Sequence, residues 1–328
     1  MPRFSSLEMC LKFLVSLMSF MLCTTTLYAQ AYPNKPVTVI VPQAPGGAND
    51  TVARVVAAKL SEQMGQQFLI ENRTGAGGNV GSAAAAKAPK DGYTLILTVG
   101  SSHTINPALF RNPGFDPIKD FEPISLVATA PYVLVVNNNI PARNVAELIT
   151  WIRAQSQPVN YASAGNGTLN HLFAEMFKSA TGLNLVHIPY KAAAASVTDV
   201  VNGQIPLAFA SLPAVTPFVK GGKLRMLGIA QERRSPLIPD VPPVGDTVKG
   251  FGAMSWYGLL APAGTARDII HRLNAEVHKA LASADMRERM NGQGAEAVVN
   301  TPEQFATLIR DELPRWAAVV KSSGAQVD

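Results

Sequence analysis

Residues 121–137, FEPISLVATAPYVLVVN, carry two nearly contiguous extended runs and divide the chain into two alternating patterns. Upstream, β-branched runs alternate with amphipathic stretches: VTVIV (Val37–Val41), a helical stretch from Asn49 to Met64, QFLIEN (Gln67–Asn72), the alanine-rich NVGSAAAAKA, and YTLILTV (Tyr93–Val99). This βαβαβ order predicts a mostly parallel sheet covered by helices, with functional loops at the C-terminal ends of its strands. Those loops are PQAPGGAND, RTGAGGN and GSSHTINP.

Downstream a second alternation begins: a helix over Val145–Gln155, strand VNYAS, a helix over Thr168–Thr181, strand NLVHIPY, a helix over Ala194–Val201 and strand IPLAFAS. KLRMLGIA (Lys223–Ala230) is expected to return the chain and MSWYGLLAPA to add a strand. Ala266–Ala284 and Pro302–Ser322 read as helices, the last kinked or interrupted at Pro314. The expected architecture is α/β and two-lobed with two extended crossings: residues 32–130 and 228–328 in one lobe, 131–227 in the other.

The composition agrees with a folded chain. Of 328 residues 47% are apolar and 16% charged, too apolar for disorder, and no Gly-x-y period or heptad marks a fibre. Residues 1–31 read as a secretory signal: Arg3 and Lys12, an apolar run from Phe13 to Cys23, then Ala29-Gln30-Ala31. The run is too short to span a bilayer. Without a Leu-small-Gly/Ala pattern before Cys23, cleavage is expected after Ala29 or Ala31, with no lipid attached. Cleavage would remove Cys10 and Cys23, the only cysteines, and lower the net charge from +5 to +4. Thiol nucleophiles, thiolate-bound zinc, iron–sulfur clusters and disulfides are then excluded. The basic residues form no run of four, which argues against nucleic acid. No H-E-x-x-H spacing occurs, so neither a metal nor a cofactor is expected. An exported, cysteine-free pair of α/β lobes describes a periplasmic binding protein with its ligand between the lobes. A two-domain exported α/β hydrolase is the competing reading.

The motifs favour binding. APGGAND puts Gly46 and Gly47 after the first strand and Asn49 or Asp50 at a helix N-cap, a place for an anion or simply a tight turn. RTGAGGNVG spaces its glycines G-x-G-x-x-x-G after the second strand, not as a dinucleotide fingerprint, and reads as a close-packed helix start. GSSHTINP offers Ser101, Ser102 and His103 where ligands bind in open α/β sheets, His103 as a hydrogen-bonding wall. YASAGNGTLNH gathers Ser163, Gly165, Asn166, Gly167 and Thr168 before a helix, hydroxyls and N–H groups without a fixed cation. His171 is either a ligand contact or a surface partner of Glu175, and His187 reads as a core histidine. Asp199 is either the holder of a cationic group or a solvated charge. A hydrolase would draw on Ser101 or Ser163, His103 or His171, and Asp199, but no G-x-S-x-G elbow occurs.

YPNKPVTVIVPQAPGGANDTVAR, IENRTGAGGNVGSAAAAKAPKDGYTL, DFEPISLVA, YASAGNGTLNHLFAEMF, HIPYK, GKLRMLGIA, PDVPPV and WYGLLAPAGT occur in this order. Together they resemble the Bug/TctC family, extracytoplasmic solute receptors of tripartite tricarboxylate transporters. The resemblance implies a monomeric type II "Venus flytrap" that binds a small carboxylate without catalysis. Its partners would be the membrane components of a transporter or, for an orphan receptor, a sensor protein. It points to Gly46, Gly47, Ser101, Ser102, Ser163, Gly165, Asn166, Gly167, Thr168, His171 and Asp199 as ligand contacts. Gln43 stands where the family usually has an aromatic residue, and is expected to offer the ligand an extra amide.

Overall fold

The computed structural model describes residues 32–327; the expected signal segment lies outside the described residues. From Lys35 onward the chain forms one contact-connected body. It starts with β1 (Val37–Val41), α1 (Ala48–Met64), β2 (Phe68–Asn72), α2 (Asn79–Ala86) and β3 (Thr94–Val99). A π-helical turn over Ser101–Ile105, α3 (Asn106–Leu109) and β4 (Phe121–Ala130) follow. The chain then crosses at Pro131 into β5 (Tyr132–Asn137), α4 (Val145–Arg153), β6 (Val159–Ser163), α5 (Leu169–Thr181), β7 (Leu185–Pro189), α6 (Ala193–Val201), β8 (Leu207–Ser211), α7 (Leu212–Lys220) and β9 (Leu224–Ile229). It returns to β10 (Ser255–Pro262), α8 (Arg267–Ala282), α9 (Ala284–Gly292), β11 (Glu296–Ala297) and α10 (Pro302–Ser323).

The strands form two sheets, β11–β4–β10–β3–β1–β2 in lobe 1 and β7–β6–β8–β5–β9 in lobe 2. In each, the strands joined by helices pair in parallel, β1 with β2 and β3, β6 with β7 and β8. Both sheets are mixed rather than mostly parallel. β10 is antiparallel to β3 and β4, and β5 to β8 and β9, because the strands that carry the chain between lobes enter each sheet from its opposite end. Lys223–Ala230 does not return the chain: Gly228 and Ile229 pair with Leu134 and Val133, so β9 belongs to lobe 2 two residues past the expected boundary. The return is an irregular run from Ala230 to Met254, containing one 3-10 turn, and it lies against the first crossing. The Ala230 N–H donates to Tyr132 O (2.8 Å) and the Ala253 N–H to Ala230 O (3.0 Å).

Buried aromatic side chains fill both cores. In lobe 1 Trp256 meets Phe305 edge-on at 5.2 Å; in lobe 2 Phe173, Phe177 and Phe209 cluster on α5 and β8. Helix α10 serves both lobes, since Phe305 packs in the first and Trp316 crosses Phe173 of the second at 5.8 Å. It begins with a complete capping box at Thr301 and Gln304 and runs unbroken through Pro314. Burial of Phe305, Ile309, Trp316 and Val320 outweighs the one backbone hydrogen bond that the proline removes.

Candidate functional site

The loops at the C-terminal ends of β1 and β3 are bound together by side-chain amides. Gln43 Nε2 donates to Ser102 Oγ (2.8 Å) while its Oε1 accepts from Asn49 Nδ2. Ser102 is almost fully buried and donates onward to Gly77 O (2.7 Å), which also accepts from Asn106 Nδ2 (3.0 Å). Gly78 has φ +105°, and a Cβ there would stand 2.6 Å from Ser102 Oγ, so this glycine lets the start of α2 press on the Ser102–Gln43 pair. The RTGAGGNVG glycines therefore serve packing. Gln43, half-buried, braces this network through one amide N–H on Ser102 and its Oε1 on Asn49.

Helix α1 starts at Ala48 with Gly47 at its N-cap, two residues before Asn49 and three before Asp50, the expected caps. Asp50 lies in the first turn, where its carboxylate accepts the Gly46 N–H (2.9 Å), Asn72 Nδ2 (2.9 Å) and Arg54 Nε (2.8 Å). Burial disfavours this charge, but these donors outweigh it and hold the carboxyl at about 2. The Gly46 amide is thus already taken, and the Gly47 N–H turns to Ala44 O (3.3 Å). What this exposed loop presents outward is backbone, next to the half-buried Ser101.

In lobe 2 the loop after β6 folds around Ser163. This fully buried hydroxyl lies 2.6 Å from His187 Nε2, accepts the Gly165 N–H (3.0 Å) and reaches Gly165 O at 3.2 Å. Thr168 Oγ1 donates to the same carbonyl (2.7 Å), and the Gly167 N–H donates to His171 Nδ1 (3.1 Å). His171 and His187 stack at 4.0 Å, with Tyr161 5.1 Å beyond His187. Burial drives both imidazoles toward the neutral form, His187 to about 4, helped by the neighbouring His171. His187 carries no signal in the sequence beyond its apolar strand; its partner, Ser163, comes from the parallel pairing of β6 with β7.

Two helices point their N-termini at this loop's surroundings. α5 follows β6 with Thr168 as N-cap, and α6 follows β7 with Ala192 as N-cap. Neither has a capping side chain or an acidic residue in its first turn, so both keep unsatisfied N–H groups and positive dipole ends. Residues 191–195 at the start of α6 are all exposed, and their alanines carried no polar signal in the sequence. Tyr190 OH donates to Asp199 Oδ2, so Asp199 braces a side chain that lines this end of the lobe. Gly167 faces lobe 1, where a Cβ would stand 3.2 Å from the Leu109 methyl groups, and Asn166 Nδ2 donates to Gln326 O (3.1 Å) beyond α10.

Two expectations are corrected. His103 forms no wall of the site: it is fully buried among Phe115, Phe121 and Trp256, with Nε2 3.0 Å from Pro117 O, and desolvation pushes it down to about 4. The hydrolase sets also fail to assemble. His103 faces Pro117, His171 is committed to Gly167, Asp199 to Tyr190, and Ser163, the one serine among the described residues paired with an imidazole, is inaccessible. A separate cavity of about 900 Å³ lies beside β9 and the turn after α9, lined by Leu212, Pro217, Met226, Ile238 and Gly294. The strand order puts β9 and β11 at the edges opposite to β7 and β2, so this mostly apolar space is away from the polar loops.

Residues 52–325 match the model of the tripartite tricarboxylate transporter family receptor. The chain belongs to this family. Family members are periplasmic solute-binding receptors. Protein BugT of Bordetella pertussis is 36% identical over 301 residues, which cover 91% of this chain and 92% of BugT. R. palustris Rpa4515, solved with adipate, is 34% identical with a TM-score of 0.74, covering 90% of this chain and all of that one. MatC from Rhodopseudomonas palustris, solved with bound malate, is 32% identical with a TM-score of 0.69, covering 88% of this chain and all of that one.

Proposed function

We propose that this receptor captures a small carboxylate between its two lobes, in the periplasm, for a tripartite transporter. The observation that carries the reading is the pair of uncapped helix N-termini, α5 and α6, which open at the C-terminal ends of adjacent parallel strands beside the Ser163–Thr168 loop. Such ends attract an anion through backbone N–H groups and dipoles and release it more readily than a fixed cation would. Lobe 1 contributes Ser101, and Gly46 and Gly47, whose N–H groups are engaged inside their own loop, shape the rim beside it. In lobe 2 Gly165, Gly167 and Thr168, whose N–H groups are engaged within the loop, shape the approach to the α5 N-terminus, and Asn166 contributes loop backbone. Ser102, Gln43, Ser163, His171 and Asp199 act one layer back, holding those loops in place. The adipate and malate bound by two relatives support a dicarboxylate. The closed form would engage the membrane components of the transporter that the family's name implies.

The test is a thermal-shift and calorimetric screen of protein that has been unfolded and refolded to remove carried-over ligand. The panel holds mono-, di- and tricarboxylates, acidic amino acids, aromatic acids and neutral analogues. Stabilisation by one class of acids, with its neutral amides silent, is the expected result. Equal response to acids and amides, or reaction of a serine with a fluorophosphonate probe, would overturn the reading.

A further inference from the structure

Glu312 is a buried carboxylate in the middle of α10, 5% exposed, for which solute binding as described above has no use. Its Oε2 accepts two hydrogen bonds from different parts of lobe 1: Thr104 Oγ1 at 2.9 Å and Trp256 Nε1 at 2.8 Å. Thr104 stands in the π-helical turn that carries Ser101 and Ser102, and also reaches Gly100 O at 2.9 Å. Trp256 is the second residue of β10, two residues after the return crossing. Gly100 closes the knot from the other side, since a Cβ there would stand 2.7 Å from Trp256 Nε1, with ring carbons at 2.9 and 3.0 Å. One turn further along α10, Trp316 packs on Phe173 of lobe 2. The ligand-side turn, the end of the return crossing and the helix that spans both lobes therefore meet at one carboxylate.

We propose that Glu312 is a positioning residue for ligand capture: by taking the Thr104 hydroxyl and the Trp256 indole N–H together, it sets the pose of the Ser101–Ile105 turn. The consequence for binding rests on the carboxylate-receptor reading; the pinning of the turn does not. The charged or titratable groups around it are Asp311 and Arg315 on its own helix and Glu232 on the return crossing, with Arg315 Nη1 3.4 Å from Glu232. His103, on the same turn as Thr104, lies on Trp256 at 6.1 Å. Burial raises Glu312 to about 7, whereas His103 is held at about 4, so between about pH 5.5 and 8 the charge that changes in the knot is that of Glu312. When the turn opens locally Glu312 stays buried, so an ionised acceptor, which has more to lose when its donors leave, grips them more tightly than a neutral one; global unfolding, which hydrates the carboxylate, has the opposite pH dependence.

The experiment is amide hydrogen exchange on the ligand-free full chain, comparing wild type, E312Q and T104V. At pH 8 both variants should exchange amides 101–106 about tenfold faster than wild type, with α5 unchanged. At pH 5.5, where Glu312 is neutral, E312Q should converge on wild type. Unchanged exchange in the turn, or an acceleration spread evenly over both lobes, would overturn the proposal. Calorimetry with succinate, malate and adipate is run in parallel. If wild type binds one of them, E312Q should bind it several-fold more weakly at pH 8 and equally at pH 5.5, and equal affinity at pH 8 overturns the role in capture. If wild type binds no acid, the functional reading fails and the exchange result still decides whether Glu312 pins the turn.

Discussion

Among the serines of the site, burial separates shaping from contact. Ser163 is sealed between His187 and Gly165, so Ser163→Ala should leave buried partners unsatisfied and cost about 1–3 kcal/mol of stability, besides weakening binding. Ser101 is half-buried, and Ser101→Ala should reduce carboxylate affinity with the unfolding midpoint held within about 0.5 kcal/mol of wild type. Chemical denaturation and titration calorimetry on the two variants separate these outcomes. Glu312 gives a pH signature. Its carboxyl is raised from 4.5 to about 7 by burial, so the stability it contributes is full below pH 4.5 and disappears as pH rises through about 7. Roughly 3 kcal/mol is at stake. His103 and His187, held neutral, lose stability in the opposite direction as pH falls from 6.5 toward 4, so the measurement is the difference between wild type and E312Q. E312Q should gain on wild type between pH 4.5 and 7.5, and a constant difference would show that Glu312 does not titrate in this range.

Elements were legible where hydrophobic period and length sufficed. VTVIV, FEPISLVATA and PYVLVVN, and the helices after β1, β4/β5 and β6, were readable because β-branched runs and 3.6-residue apolar spacing are local properties. Contacts between elements were not. Gln43 and Ser102 are 59 residues apart, and their hydrogen bond exists only because β1 and β3 are neighbours, so their mutual bracing had no signal in the sequence. His103 carried the same polar signal as Ser101, but the π-helical turn directs it into an aromatic core. β9 looked like a return strand because a strand's sheet is fixed by its partner, here β5, and not by its own residues. Helix α10, expected to kink or be interrupted at Pro314, is not interrupted there, the burial on either side holding it together. That burial is measurable: Trp316→Ala, removing the ring that crosses Phe173, should cost about 3–5 kcal/mol in denaturant unfolding. A much smaller cost would mean that α10 does not join the two cores.

At the scale of the whole molecule, the two crossings lie side by side, tied where the Ala230 N–H donates to Tyr132 O, and β10 and β5 carry them into the interior of each sheet. A pair of adjacent crossings lets the lobes turn about one line while each sheet stays rigid. A ligand can drive that rotation only by binding the closed arrangement better than the open one. On the proposed reading, uncapped helix ends in lobe 2 and Ser101 in lobe 1 would provide such a difference, since a carboxylate would touch both only when the lobes approach. Saturating ligand should then reduce the radius of gyration in small-angle scattering. At about a hundred times its dissociation constant, it should also add roughly 2.7 kcal/mol to the stability of a single cooperative unfolding transition. Trp316, seated across both cores, ties these two outcomes together. If closure swings α10 with lobe 1, the Trp316–Phe173 contact must slide, and ligand should change Trp316 fluorescence in a protein whose Trp151 and Trp256 are replaced by phenylalanine. A ligand that stabilises the protein without altering either the radius or this fluorescence would bind to one lobe alone.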